Sequence, residues 1–219
     1  MKSISDIFFN GISDKHDTNI IKKVNVPIDS HYIGILNIAK SIEPGFVINE
    51  NNEGIIKQLL LYFTGNEDFK GSLKKGLMIV GSVGTGKSLL FRIFKAYTGK
   101  ILRVNSFQYH TSSEIIDNVN INGVEFLEKY NHNFDNPITC YIDDIASRNE
   151  VIKYFGTEVN VMEQLISIRY NIYERYKKLT HISSNKYPND FKDLYDERVI
   201  DRMKQMFNVI ELSGNSFRK

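Results

Sequence analysis

The chain has 219 residues, 42% hydrophobic and 12% aromatic, which is enough to bury a full core as one domain with an appendage and excludes a disordered or fibrous chain. Its 28 basic and 26 acidic residues leave a formal net charge of +2, too mild to mark a nucleic-acid-binding protein by charge alone, although basic residues outnumber acidic ones from Arg169 onward. The single cysteine, Cys140, excludes an intrachain disulfide or a cysteine zinc cluster, and the strongest apolar run, "LLLYF" from Leu59, is too short to cross a bilayer; a soluble cytoplasmic protein with no membrane partner is expected.

Residues 1–45 mix Asp, Asn, Ser and Lys with isolated apolar residues, and only "SHYIGILNIAKSI" has helical spacing. They predict an N-terminal arm, partner-binding or partly flexible, ahead of a core over 46–219. In that core Asn52 is placed to cap a helix carrying Ile55, Ile56, Leu59, Leu60 and Phe63, which ends at Gly65. "GLMIV" from Gly76 predicts a strand, and a helix follows from Lys87 to Tyr97, stopping at Gly99. "KILRVNS" reads as a second strand. Thr111 and Glu114 have capping-box spacing, so a helix starts there. "ITCYIDD" is a third strand, with Cys140 as a small core residue, and Val161 to Lys177 is a long amphipathic helix. "LTHISSN", a short helical stretch around "DERVIDRMKQM" and the strand "NVIEL" complete the pattern. Strands alternating with helices, each strand a continuous apolar run, predict an α/β fold with a five-stranded parallel sheet flanked by helices on both faces.

The eight residues "GSVGTGKS" fit G-x-x-x-x-G-K-[ST] in full, between a strand and a helix as the motif requires. Gly81, Gly84 and Gly86 let the backbone curl, so that the loop Gly81, Ser82, Val83, Gly84, Thr85, Gly86 and the first helical turn, Lys87, Ser88, Leu89, form a cradle of amides for a nucleotide's phosphates. Lys87 supplies a point charge for the β- and γ-phosphates, and Ser88 offers a hydroxyl to Mg²⁺. In "CYIDDI" an apolar strand ends in two acids at the carboxyl edge of the sheet: Asp143 suits the metal, and Asp144 suits a base that polarises an attacking water. "THISSN" closes with Asn185, a neutral amide able to orient that water. His110, His132 and His181 are too scattered for a metal site.

Together with "FGTEVNVMEQLISIRY", "YDERVIDRM" and "SGNSFR", these segments resemble the DnaC/IstB group of AAA+ ATPases, which includes helicase loaders and the ATPase partners of some transposases. The resemblance covers Phe46 to Arg218. It implies an AAA+ core using ATP and Mg²⁺, Asn185 at the sensor-1 position, and Arg202 as an arginine finger with Arg198 beside it, serving a neighbouring subunit's γ-phosphate in a homo-oligomer. It implies a replicative helicase or a transposase as protein partner, and DNA replication as the setting. Two departures stand out. The second acid is Asp rather than the Glu usual across AAA+ proteins, and no C-terminal helical lid is expected after "NVIEL", so Arg218 is not assigned a lid arginine's role.

The helix from Val161 carries Arg169, Tyr170, Tyr173, Arg175, Tyr176, Lys177 and Lys178, a mixture able to stack bases of single-stranded DNA but favouring packing and interface instead, since one face must meet the sheet. The expected function is an ATP-dependent assembly ATPase of the helicase-loader kind. The alternatives are a transposition ATPase, a small-molecule kinase built on the same cradle, or a nucleotide-bound interaction module with little turnover.

Overall fold

The computed structural model describes residues 21–25, 27–131 and 138–214; the first twenty residues of the expected arm, His132 and Arg218 lie outside them. In chain order the elements are α1 (Ile28–Ile42), α2 (Glu53–Phe63), β1 (Gly76–Val80), α3 (Lys87–Tyr97), β2 (Gln108–Thr111), α4 (Ser112–Asn122), β3 (Cys140–Ile145), β4 (Val151–Tyr154), β5 (Thr157–Asn160), α5 (Val161–Tyr176), β6 (Thr180–Ser184), α6 (Glu197–Met206) and β7 (Phe207–Glu211). Five strands form one parallel sheet in the order β2-β3-β6-β1-β7, and β4 and β5 form a separate antiparallel hairpin. The α/β architecture with five parallel strands is the one expected.

Alternate residues of β1 feed the two faces of the sheet. Met78 and Val80 join Ile142 and Ile182 in a core closed by α4, α5 and α6, while Leu77 and Ile79 join Tyr141 under α1, α2 and α3. A strand buried on both sides gains about 1.5–3 kcal/mol for each large apolar side chain, which explains why its sequence shows no polar alternation. Cys140 is buried in the first of these cores, as a small core residue.

Local chemistry sets the helix ends. Thr111 and Glu114 form the expected reciprocal capping box on α4, and Asn160 and Asp196 cap α5 and α6 through their side-chain oxygens. Asn52 precedes α2 as expected, but its side chain turns back: Oδ1 accepts from the Asn49 amide (2.9 Å) and Nδ2 donates to the Val47 carbonyl (2.9 Å), fixing the entry loop instead of capping the helix. Helix α1 docks on α3, with His31 Nδ1 2.5 Å from the Tyr97 hydroxyl and Ile35 and Ala39 buried, so this part of the arm is packed on the core.

One strand falls elsewhere than the sequence predicts. "KILRVNS" is not extended: α3 runs on into a π-helical turn (Thr98–Leu102), and Arg103 and Asn105 both take left-handed backbone angles (φ 55° and 57°). Asn105 is fixed there by donating to the carbonyls of Lys22 and Phe63, each at 2.8 Å. Two left-handed residues within three break an extended run, and the strand begins only at Gln108.

Candidate nucleotide-binding site

The carboxyl ends of β1, β3 and β6 lie side by side, and the site forms where they meet the start of α3. Gly81 leaves β1 at φ 157°, with the Leu212 carbonyl so close that a Cβ would lie 2.3 Å from its oxygen. Gly86, at φ 98°, is the N-cap of α3 and carries no side chain to bond the first-turn amides, which leaves those amides directed into the loop. Thr85 is buried and donates to the Ser82 carbonyl (2.9 Å), tightening the turn. Ser82 and Val83 form its exposed outer edge, and Leu89 is half-buried against the core. The expected binding segment, Gly81 to Leu89, is thus one continuous loop and helix start.

Lys87 is buried, and its ammonium donates to the carbonyls of Gly81 (2.7 Å) and Ser82 (2.9 Å) and to Asn185 Oδ1 (2.6 Å). Asn185 Nδ2 in turn donates to Asp144 Oδ1 (2.8 Å). One amide therefore links the cradle lysine to the second acid, bringing together three residues that the sequence holds far apart. These bonds also fix the orientation of the Asn185 amide.

Asp143 is 7% exposed and lies at the centre of a hydroxyl cluster. Ser88 donates to its Oδ1 (2.9 Å), as do Ser183 (2.6 Å) and Tyr141, while Tyr109 donates to Oδ2 (2.5 Å). Burial pushes both phenols up, that of Tyr141 well above the usual tyrosine range, and the neighbouring carboxylate adds to the effect; both remain protonated donors. Among the described residues no group of three or more His, Cys, Asp or Glu side chains could hold a metal. The hydroxyl of Ser88 beside the Asp143 carboxylate is a hard-oxygen pair of the kind Mg²⁺ takes when phosphates and water supply its other ligands, so the residues fit that ion.

Asp144 sits where β3 breaks register against β6, between Ile142 and Ile145, and its φ is +61°. The Ser183 hydroxyl accepts from its amide (2.9 Å), and Ser112 donates to its carbonyl (2.8 Å). The bulge turns the second acid away from the first and towards Asn185.

The arginines stand apart from this centre. Arg202 donates to Ser167 Oγ (2.7 Å) and lies 5.1 Å from the centre of the Tyr170 ring, while the Arg198 amide is capped by Asp196. Both line a cavity of about 600 Å³ between α5 and α6, with Glu163, Ser167 and Asp196. The partners of Arg202 belong to this helix pair rather than to the cradle. Arg169, part of the basic and aromatic mixture on α5, is 2% exposed and donates to Thr180 Oγ1 and to the carbonyls of Ile138 and Leu179. It packs α5 on the sheet, as favoured over base stacking. His181 is fully buried, with Nδ1 accepting from the Leu77 amide, and burial followed by the Arg169 charge pushes its pKa down to about 3, so it stays neutral.

Sequence reading missed Tyr109, Tyr141 and Ser112. The signal for Tyr141 was present: it lies two residues before Asp143 in a strand, hence on the same face.

No family model and no curated protein matches the chain. Solved structures do. A putative primosome component from Streptococcus pyogenes serotype M3 aligns with TM-score 0.56 and 19% identity over 90% of this chain and 95% of that one. Domain III of the replication initiation protein DnaA from Thermotoga maritima gives 0.53 and 23% over 77%, this chain spanning 65% of that structure's length. The DnaC helicase loader gives 0.52 and 18% over 78% of this chain and 95% of that one. No helix among the described residues is long and apolar enough to cross a membrane. At these identities the likeness speaks for architecture: the chain, with its glycine loop between β1 and α3, shares the fold of these solved structures.

Proposed function

We propose that the protein is an ATP- and Mg²⁺-dependent AAA+ assembly ATPase that acts as a helicase loader or a closely related replication factor. The observation that carries this reading is the bridge Lys87–Asn185–Asp144 beside the pair Ser88–Asp143, which brings an ammonium, two carboxylates, a hydroxyl and an amide together at the glycine loop. Support for the biological setting comes from the neighbours, among them a DnaC helicase loader, DnaI, and DnaA bound to AMPPCP and single-stranded DNA.

In this reading the amides from Gly81 to Leu89 hold the β- and γ-phosphates, with Lys87 moving from the loop carbonyls to phosphate oxygens. Ser88 and Asp143 hold Mg²⁺, which when bound neutralises charge on those oxygens. Asp144 takes the proton of the attacking water, Asn185 orients that water, and Arg202, with Arg198 beside it, reaches the γ-phosphate of a neighbouring copy. The residues of 1–45 grip the protein partner, ahead of the core over 46–219.

Lys87→Ala separates this reading from an architecture without nucleotide function. Calorimetry with ATP and Mg²⁺ should show binding to the wild type and none to the variant, with the melting transition retained; equal affinity in both would remove the proposal. Phosphate release with and without single-stranded DNA then distinguishes an ATPase from a module with little turnover. Affinity capture from the native host distinguishes a helicase partner from a transposase, the latter assigning the protein to the transposition branch.

A further inference from the structure

Asp143 has more hydroxyl donors than a metal-binding carboxylate needs. An ionised carboxylate offers about four acceptor positions. Here Oδ1 receives Ser88, Ser183 and Tyr141, and Oδ2 receives Tyr109, so side chains from α3, β6, β3 and β2 converge on one carboxyl group. The Oδ1 donors anchor the group. Ser88 can keep its proton on Oδ1 while an oxygen lone pair faces a cation, and Ser183 is held in place by the Asp144 amide. Oδ2 is the remaining outlet towards a metal's hydration shell, and the only partner it has among the described residues is the Tyr109 hydroxyl.

We propose that Tyr109 is a positioning residue that sets the metal demand of the site: its hydroxyl competes with metal-bound water for Asp143 Oδ2. This rests on the nucleotide-site reading above and adds a direction to it. Donors around a ligating carboxylate ordinarily orient it, so that removing one weakens metal binding. At Asp143 orientation is already secured through Oδ1, and what Tyr109 adds is occupation of the free oxygen. The Tyr109 ring does not depend on that bond for its place: it packs edge-on against Tyr141, centroids 5.1 Å apart, and faces the Lys95 ammonium at 5.8 Å. Tyr109→Phe therefore keeps the ring and releases Oδ2.

The test titrates Mg²⁺ into protein with a fluorescent non-hydrolysable ATP analogue and reads the metal concentration at half-saturation. Tyr109→Phe should lower it by about three- to tenfold, the range expected for one competing hydrogen bond, with metal-free nucleotide affinity and the melting midpoint unchanged. A merely structural tyrosine would leave the metal requirement alone or shift the midpoint with it. An unchanged or higher requirement in Tyr109→Phe, with metal-dependent binding intact in the wild type, overturns the proposal and leaves the nucleotide site standing. Absence of metal-dependent binding in the wild type overturns both.

Discussion

At the scale of single residues, Asp144 shows how the backbone places a functional group. Left-handed geometry costs an ordinary residue about 1–2 kcal/mol, and Asp bears it better than most because its short polar side chain bonds locally. At +61° it is held by three hydrogen bonds, to Ser183, Ser112 and Asn185. Asn tolerates the same angle and still accepts from Asn185, so Asp144→Asn should fold and bind ATP as the wild type does. It should release phosphate roughly a hundredfold more slowly or worse, because an amide cannot take the proton of the attacking water. Steady-state turnover beside the nucleotide dissociation constant separates the two effects, and turnover at the wild-type rate would take the base role from Asp144. The two acids were legible in "CYIDDI", but their divergence was not. No glycine or proline in "CYIDDI" announces a register break, and the Ser183 hydroxyl that accepts from the Asp144 amide comes from β6, distant in sequence.

At the scale of elements, the hairpin β4–β5 is the largest omission of sequence reading. It turns through Phe155 and Gly156, both left-handed at φ 47° and 81°, and the Phe155 side chain is 92% exposed. Two consecutive residues of positive φ are the signature of the tight hairpin turn that favours Asn-Gly, and a bulky aromatic at its first position is strained. Phe155→Asn should therefore stabilise the fold by about 1 kcal/mol, read as a rise of a few degrees in the melting midpoint. A fall would show that packing of Phe155 on Tyr154, ring centroids 4.6 Å apart, outweighs the backbone strain. The strands β1, β3, β6 and β7 and the helices α3 to α6 were legible because each depends on its own apolar spacing or cap. "VIKYFGTEVN" was not, since its turn lacks the usual dipeptide, and "KILRVNS" misled because its apolar residues follow a π-helical turn, leaving Ile101 exposed.

At the scale of the whole molecule, the cradle and the arginines of α6 are separate parts, and the order of the sheet was not legible, since strand spacing alone does not fix which strands are neighbours. If Arg202 serves the cradle of another copy, Arg202→Ala should bind ATP yet lose roughly a thousandfold or more of its hydrolysis when assembled. Mixing it with Lys87→Ala should restore part of the activity, since the cradle-dead copy still offers its arginine. Normal hydrolysis by Arg202→Ala in the assembled state would end that assignment and turn attention to Arg198. The position of β1 in the sheet has a bearing on how the molecule comes into being. Its flanking strands start at Thr180 and Phe207, the Leu212 amide donates to the Val80 carbonyl (2.8 Å), and Gly81 lies against the Leu212 carbonyl. During synthesis the glycine loop therefore leaves the ribosome long before either strand that walls it, and those contacts close only after distant parts of the chain have met. If the cradle binds nucleotide as proposed, that affinity is acquired late, as a property of the completed sheet rather than of the loop, and a growing chain carries its phosphate motif without the walls that close it.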